Sequence, residues 1–151
     1  MEAVRTFEPG DLQDCVELTA RACREAETVR GGGVLVATAA DPAELVRTWV
    51  QDDERPSTVL VGLFNDSVVG LAAGTVSLSA HEGRVELCYV EESARAVGVG
   101  RALIDQLLAW FKSQRCGAVD ALALPGDRET KRLLEAAGFK TRLLVLRAEL
   151  G

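Results

Sequence analysis

Histidine is almost missing from this chain. His81 is the only one, and Tyr89 is the only tyrosine in a sequence with 5 % aromatic residues. The four cysteines, Cys15, Cys23, Cys88 and Cys116, form no Cys-x-x-Cys pair and lie far from His81. That spacing excludes the usual metal-ligand patterns, so no metal is expected. A nucleophilic cysteine would need a histidine partner, and His81 sits in the polar turn Ser79-Ala80-His81-Glu82-Gly83. Cys15, Cys23 and Cys88 fall on apolar-face positions and read as small core residues in a reducing compartment. No apolar run approaches the roughly 20 residues needed to cross a bilayer. The opening Met1-Glu2-Ala3-Val4-Arg5 lacks a signal-peptide pattern, so a cytoplasmic protein without membrane contact is expected. A basic stripe is missing too: 17 Lys and Arg stand against 23 Asp and Glu, a formal charge of −6. That balance argues against nucleic acid as a partner. It mildly favours a cationic substrate, and acidic residues also simply keep a protein soluble.

What is present suffices for one domain over residues 1–151, with 48 % apolar and 26 % charged residues. Val4 to Phe7 reads as a short strand stopped by Pro9-Gly10. Asp11 then caps a helix with Leu12, Cys15, Val16, Thr19, Ala22 and Cys23 at helical spacing. Arg30-Gly31-Gly32-Gly33 breaks that helix, and Val34-Leu35-Val36 is a short apolar piece. Asp41-Pro42, an N-cap followed by proline at the first helical position, opens a second helix to about Gln51. The acidic loop Asp52-Asp53-Glu54-Arg55-Pro56 follows it. A β-meander comes next: Thr58–Phe64, Val68–Leu78 and Val85–Val90. Leu103, Ile104, Leu107, Leu108 and Phe111 line one face of a further helix, closed by Cys116-Gly117. Ala118–Leu124 reads as a buried strand, Pro125-Gly126-Asp127 starts a last helix ending at Gly138, and Lys140–Leu150 reads as a final strand. The order β-α-α-β-β-β-α-β-α-β implies an α/β fold, a mixed sheet covered by helices on both faces.

The most informative stretch joins the third meander strand to its helix: Arg95-Ala96-Val97-Gly98-Val99-Gly100-Arg101. A helix start carries N–H groups without intrahelical partners and roughly half a positive charge. Glycines there let an anion approach those donors. A P-loop would need Lys-Ser/Thr after Gly100, where Arg101-Ala102 stands. A dinucleotide fingerprint would need Gly or Ala where Leu103 sits. Taken alone, the glycine pair also reads as an ordinary turn.

Arg95-x-x-Gly98-x-Gly100 resembles the Arg/Gln-x-x-Gly-x-Gly/Ala pyrophosphate loop of the GNAT N-acetyltransferase superfamily. Leu87-Cys88-Tyr89-Val90-Glu91-Glu92 is similar to the strand end preceding that loop, and Leu133-Leu134-Glu135-Ala136-Ala137-Gly138-Phe139 to the family's Leu-Tyr-Glu-x-x-Gly-Phe helix ending. Pro125–Lys131 is similar to bacterial members of the family and reveals no substrate. The resemblance covers essentially the whole chain and implies the GNAT acyl-CoA N-acyltransferase fold.

That resemblance implies acetyl-CoA as co-substrate. Its pantetheine arm would pair with Cys88, Tyr89 and Val90 as an added strand where the strands Val85–Val90 and Ala118–Leu124 splay apart. The pyrophosphate would meet Arg95 and the N–H groups of Ala96, Val97, Gly98, Val99, Gly100 and Arg101. Asp127 stands where the family usually has an Asn reaching the cofactor arm; it equally reads as the N-cap of the last helix. The implied activity is transfer of an acetyl or other small acyl group to a primary amine, on a small molecule or a peptide, with a homodimer left open. Glu86 alternates with Cys88 and Val90, opposite Val85, Leu87 and Tyr89, and is the expected general base. The other reading makes it a partner of Arg84 or Arg95, or a rim residue facing solvent. Leu134 replaces the family's usual tyrosine acid, which keeps a second reading in play: a catalytically silent acyl-CoA-binding or sensor domain.

Overall fold

The computed structural model describes residues 2–29 and 41–151. The Gly31–Gly33 break and the Val34–Val36 piece lie outside the described residues. Strands β1 (Glu2–Thr6), β2 (Ser57–Phe64), β3 (Ser67–Ser77), β4 (Glu82–Val90) and β5 (Ala118–Ala121) form one sheet in sequence order. The first four pair antiparallel, whereas β4 and β5 run parallel. Helices α1 (Leu12–Thr28) and α2 (Pro42–Val50) cover one face, α3 (Val99–Ser113) covers the other, and α4 (Arg128–Ala136) follows β5.

The two faces explain the apolar spacing. Cys15, Leu18, Val46 and Trp49 pack with Val59, Val61, Leu71, Ala73 and Tyr89. Val99, Leu103, Leu107 and Phe111 pack with Leu60, Ala72, Val76, Val85 and Val90. Because β2 and β3 are covered on both sides, their interiors are continuously buried rather than alternating. The hairpin between them turns on Asn65 and Asp66, with φ of 49° and 66°, residue types that tolerate the left-handed region. Asp41 caps α2 as expected, accepting from Ala43 N–H at 3.1 Å. On the other face α3 lies close to the sheet because the backbone lacks side chains beneath it. A Cβ on Gly74 would lie 2.7 Å from Phe111 Cζ, and one on Gly83 would meet the same ring.

Five sequence expectations change. The alternation along β4 is broken by a β-bulge: Ala73 pairs with Leu87 and Gly74 with Val85, leaving Glu86 as the extra residue. Val85 therefore joins the α3-side core with Val90, not the face of Leu87 and Tyr89. Asp11 does not cap α1. Its carboxylate accepts from Glu8 N–H and from Arg5, at 2.8 and 2.7 Å, closing the 3-10 turn Pro9–Asp11 instead. The end of α3 turns on Arg115, at φ 62°, rather than on Gly117. The buried strand expected at Ala118–Leu124 stops at Ala121, and its residues are exposed or half-buried because no neighbour lies on its outer edge. Finally, Lys140–Leu150 is not a strand; the chain beyond Phe139 carries no regular structure, so the expected sheet lacks its last member.

Candidate active site

The strands β4 and β5 diverge early. Their pairing ends at Val85 opposite Ala121, while β4 continues to Val90. The β5-facing edge of Glu86–Val90 therefore has no strand beside it, the opening expected for Cys88, Tyr89 and Val90. At the far end the chain makes a 3-10 turn, Glu92–Val97, and passes through Gly98 at φ 87° into α3. A left-handed conformation at this position is what glycine supplies without strain. The start of α3 has no side-chain cap and no acidic residue in its first turn. Its N–H donors are thus offered without an internal anion to answer them. Val99 is fully buried, Gly100 half-buried, and Ala96 and Gly98 exposed; Val97 packs against the α3-side core.

These observations bear on whether the cleft suits an acyl-CoA. An open strand edge offers amide partners, and an uncapped glycine-containing helix start offers donors to a phosphate. A Cβ on Gly100 would sit 3.4 Å from Leu133 Cδ2, an ordinary contact, so the cradle admits glycine or alanine there. The residues present fit the group. The α3 side of the opening is apolar: Cys88 packs against that core, and burial pushes its thiol up to about 12. It is no nucleophile at neutral pH.

Three expected cofactor residues have side chains employed within the chain. Arg95 Nε donates to Val90 O at 2.9 Å, its Nη2 to Glu25 at 2.7 Å and its Nη1 to Glu129 at 3.2 Å. Its guanidinium also lies 5.5 Å from the Tyr89 ring centre. Desolvation is the largest single influence and opposes the charge of Arg95, but the bond to Glu25 together with the charges of Glu25, Glu129 and Tyr89 outweighs it, and the pKa is raised. Asp127 accepts from Thr130 N–H and Oγ1 at 3.1 and 2.6 Å, the N-cap of α4. Arg101 is tied to Asp105 and to Ala136 O.

Glu86 is placed by the bulge. Its carboxylate accepts from Thr75 Oγ1 at 2.8 Å and lies 3.6 Å from Arg84 Nε, with 18 % of the side chain exposed. Thr75 alternates with Ala73 and Leu71, so Glu86 faces α1 and α2 rather than the α3-side core. On the same face Tyr89 donates to Glu25 Oε1 at 2.7 Å. Burial first, then this bond, pushes the phenol up to about 12. A cavity of about 430 Å³ adjoins it, lined by Arg21, Glu25, Glu91, Glu92 and Ser93, with Arg21 3.4 Å from Glu91. The roles of Thr75, Glu25 and Arg21 escaped the sequence reading. The Arg21-x-x-x-Glu25 spacing on one helix face is visible in the sequence, but its partners Tyr89, Glu91 and Arg95, at and just past the end of β4, are not. Leu134, where the resemblance implies a tyrosine, is buried at 6 % exposure. The acidic Asp52 loop satisfies itself: Asp52 accepts from Glu54 N–H and Arg55 Nε. Among the described residues no group of three His, Cys, Asp or Glu gathers as a metal site, and no helix is long and apolar enough to cross a membrane.

Solved structures share this architecture. A transcriptional regulator from Bacillus halodurans C-125 superposes with a TM-score of 0.73 at 17 % identity, covering 99 % of this chain and 100 % of its own. A ribosomal-protein-alanine N-acetyltransferase from Brucella melitensis biovar Abortus 2308 gives 0.70 at 15 %, covering both chains completely. AAC(6')-Iy, bound to the bisubstrate analogue CoA-S-monomethyl-acetylneamine, gives 0.69 at 18 %, covering 99 % of each. At such identities the likeness speaks for the fold. No curated protein matches the chain in sequence. The family profile described as acetyltransferase (GNAT) family matches residues 20–139, from the middle of α1 to the residue that closes α4. The chain belongs to the GNAT acetyltransferase family.

Proposed function

We propose that this protein is an N-acetyltransferase that moves an acetyl or small acyl group from acyl-CoA to a primary amine, on a small molecule or a peptide. The observation that carries the reading is the open edge of Glu86–Val90 leading into an uncapped helix start through left-handed Gly98. When bound, the thioester supplies the activated acyl group. The backbone of Cys88–Val90 would hold the arm, and the N–H groups of Ala96–Arg101 would hold the pyrophosphate. Arg95 contributes by fixing the end of β4 through Val90 O, and Asp127 by starting α4.

Glu86 takes the proton of the incoming ammonium, directly or through a water, while Thr75 holds the carboxylate in place. The need is real: freeing a lysine-like amine of pKa about 10.4 at pH 7 costs about 4–5 kcal/mol, an α-amine near 8 only about 1–1.5. A primary amine is cationic before that step, and the cavity beside Tyr89 carries three glutamates against one arginine. Free thiols throughout the described residues suit a reducing, cytoplasmic setting.

Calorimetry with CoA, and acyl transfer from acetyl-CoA to a panel of amines, tests the reading. No binding at millimolar CoA would remove it. A second reading rests on buried Leu134, which leaves α4 without the family's hydroxyl: a silent acyl-CoA sensor, recognised by binding without transfer to any amine.

A further inference from the structure

One more charged group stands beside Glu86. In the register of β3 with β4, Arg84 lies opposite Thr75, so these two side chains share the α1–α2 face with Glu86, whereas Val85 and Cys88 pack on the α3 side. Thr75 Oγ1 holds Glu86 Oε1 at 2.8 Å, which leaves Oε2 for another partner. Arg84 Nε is 3.6 Å from that oxygen, too far for a hydrogen bond. Among the described residues Arg84 makes no other ion pair and its side chain donates no hydrogen bond. Asp120, its partner across the parallel pair with β5, is occupied by Arg142 at 3.5 Å.

Two opposite charges thus stand side by side, each with unused bonding capacity. A guanidinium is a planar fork of donors that matches a carboxylate, and 56 % of this side chain is exposed to receive one. Glu86 Oε2 can accept from an ammonium. A half-exposed pair at this distance contributes little to stability, so a ligand separates it at small cost. The complement of the pair is a molecule with an ammonium and a carboxylate on one carbon, laid against it with the charges reversed.

We infer that the acceptor is a free α-amino acid, its carboxylate held by Arg84 and its ammonium by Glu86. The inference rests on Glu86 being the base of the proposed transfer and narrows the amine that it serves. A carboxylate on the same carbon keeps an ammonium protonated, because the two charges attract. Pairing that carboxylate with Arg84 cancels the effect and eases loss of the proton to Glu86. The freed nitrogen then bonds to the acyl carbon as the carbon–sulfur bond breaks, giving an N-acyl amino acid and the thiol. Of the two protons that the nitrogen loses, one goes to Glu86 and one to the departing thiolate. A peptide N-terminus and a lysine side chain lack the neighbouring carboxylate and gain nothing from Arg84.

Calorimetry with each common amino acid and its own amide, with and without saturating CoA, tests the inference by binding alone. At least one acid should bind at least tenfold more tightly than its amide. Arg84→Gln should remove the difference with an unchanged melt, since the side chain is half-exposed. Arg84→Lys, which keeps the charge but not the fork, should retain part of it. Acids that bind no better than their amides, or a preference that survives Arg84→Gln, would overturn the inference, and transfer to other amines would still stand or fall by its own assay. A preference for the acid in a protein that transfers to no amine would keep the carboxylate site and remove the enzyme reading instead.

Discussion

Replacing Glu86 by glutamine removes one negative charge at nearly constant shape. The amide carbonyl can still accept from Thr75 Oγ1, now at 2.8 Å from the carboxylate. What is lost structurally is the 3.6 Å pair with Arg84, whose side chain is 56 % exposed. Pairs of that kind contribute about 0–1 kcal/mol, so Tm should fall by no more than about 4 °C. Turnover should fall by roughly a hundredfold or more, about 2.7 kcal/mol in the barrier, as for a positioned base. The loss should be larger for a lysine-like amine than for an α-amine, because more free energy separates the former from its reactive form. Thiol release across pH gives kcat, calorimetry gives CoA affinity, and a melt reports the fold. Turnover within threefold of the parent, with the same pH profile for both amines, would refute the assignment and leave Glu86 a partner of Thr75 and Arg84.

Gly98→Ala should cost about 1–2 kcal/mol because its φ of 87° strains an L side chain, whereas Gly100→Ala should leave Tm unchanged and Gly100→Val should weaken CoA binding at least tenfold by calorimetry. Gly83→Ala should lower stability by about 1–3 kcal/mol in denaturant titration, since its methyl meets the Phe111 ring. The guanidinium of Arg5 beside Asp11 holds that carboxyl below the ordinary range, so its contribution is present above about pH 3.9 and fades as pH falls further. In Arg5→Met the acid-unfolding midpoint should therefore move up. Leu134→Tyr should leave CoA affinity similar and raise turnover less than tenfold, at about 1–3 kcal/mol of stability because the site is buried; a folded variant no faster than its parent would show that thiolate protonation is not limiting.

The elements were legible where local pattern and burial agree. Asp41-Pro42 announces α2, and the Leu103–Phe111 spacing announces the buried face of α3. The glycine loop was legible because Gly98 needs a conformation only glycine adopts freely. Glu86 stands out as a candidate by its oddness in an apolar strand, but its direction does not, because a bulge is a mismatch between two strands and leaves no mark in one. The employment of Arg95 by Glu25 and Glu129 is equally a matter of tertiary distance, joining α1, the 3-10 turn Glu92–Val97 and α4. Lys140–Leu150 has the composition of a strand, and composition cannot say whether a sheet edge receives it.

The ring of Phe111 over Gly74 and Gly83, together with Val99 and Leu103 over Gly62, seats α3 at both ends on bare backbone. A helix held that way can neither slide by a turn nor lift from the sheet. Its start lies about 18 Å from Phe111 at 1.5 Å per residue, yet that distant ring sets where the N–H groups stand. The separation between the helix start and Glu86 is thus a fixed gauge. On the proposed reading, a ligand anchored by its anion at one end would be measured at the other, and a phenylalanine that touches neither would help set the length admitted.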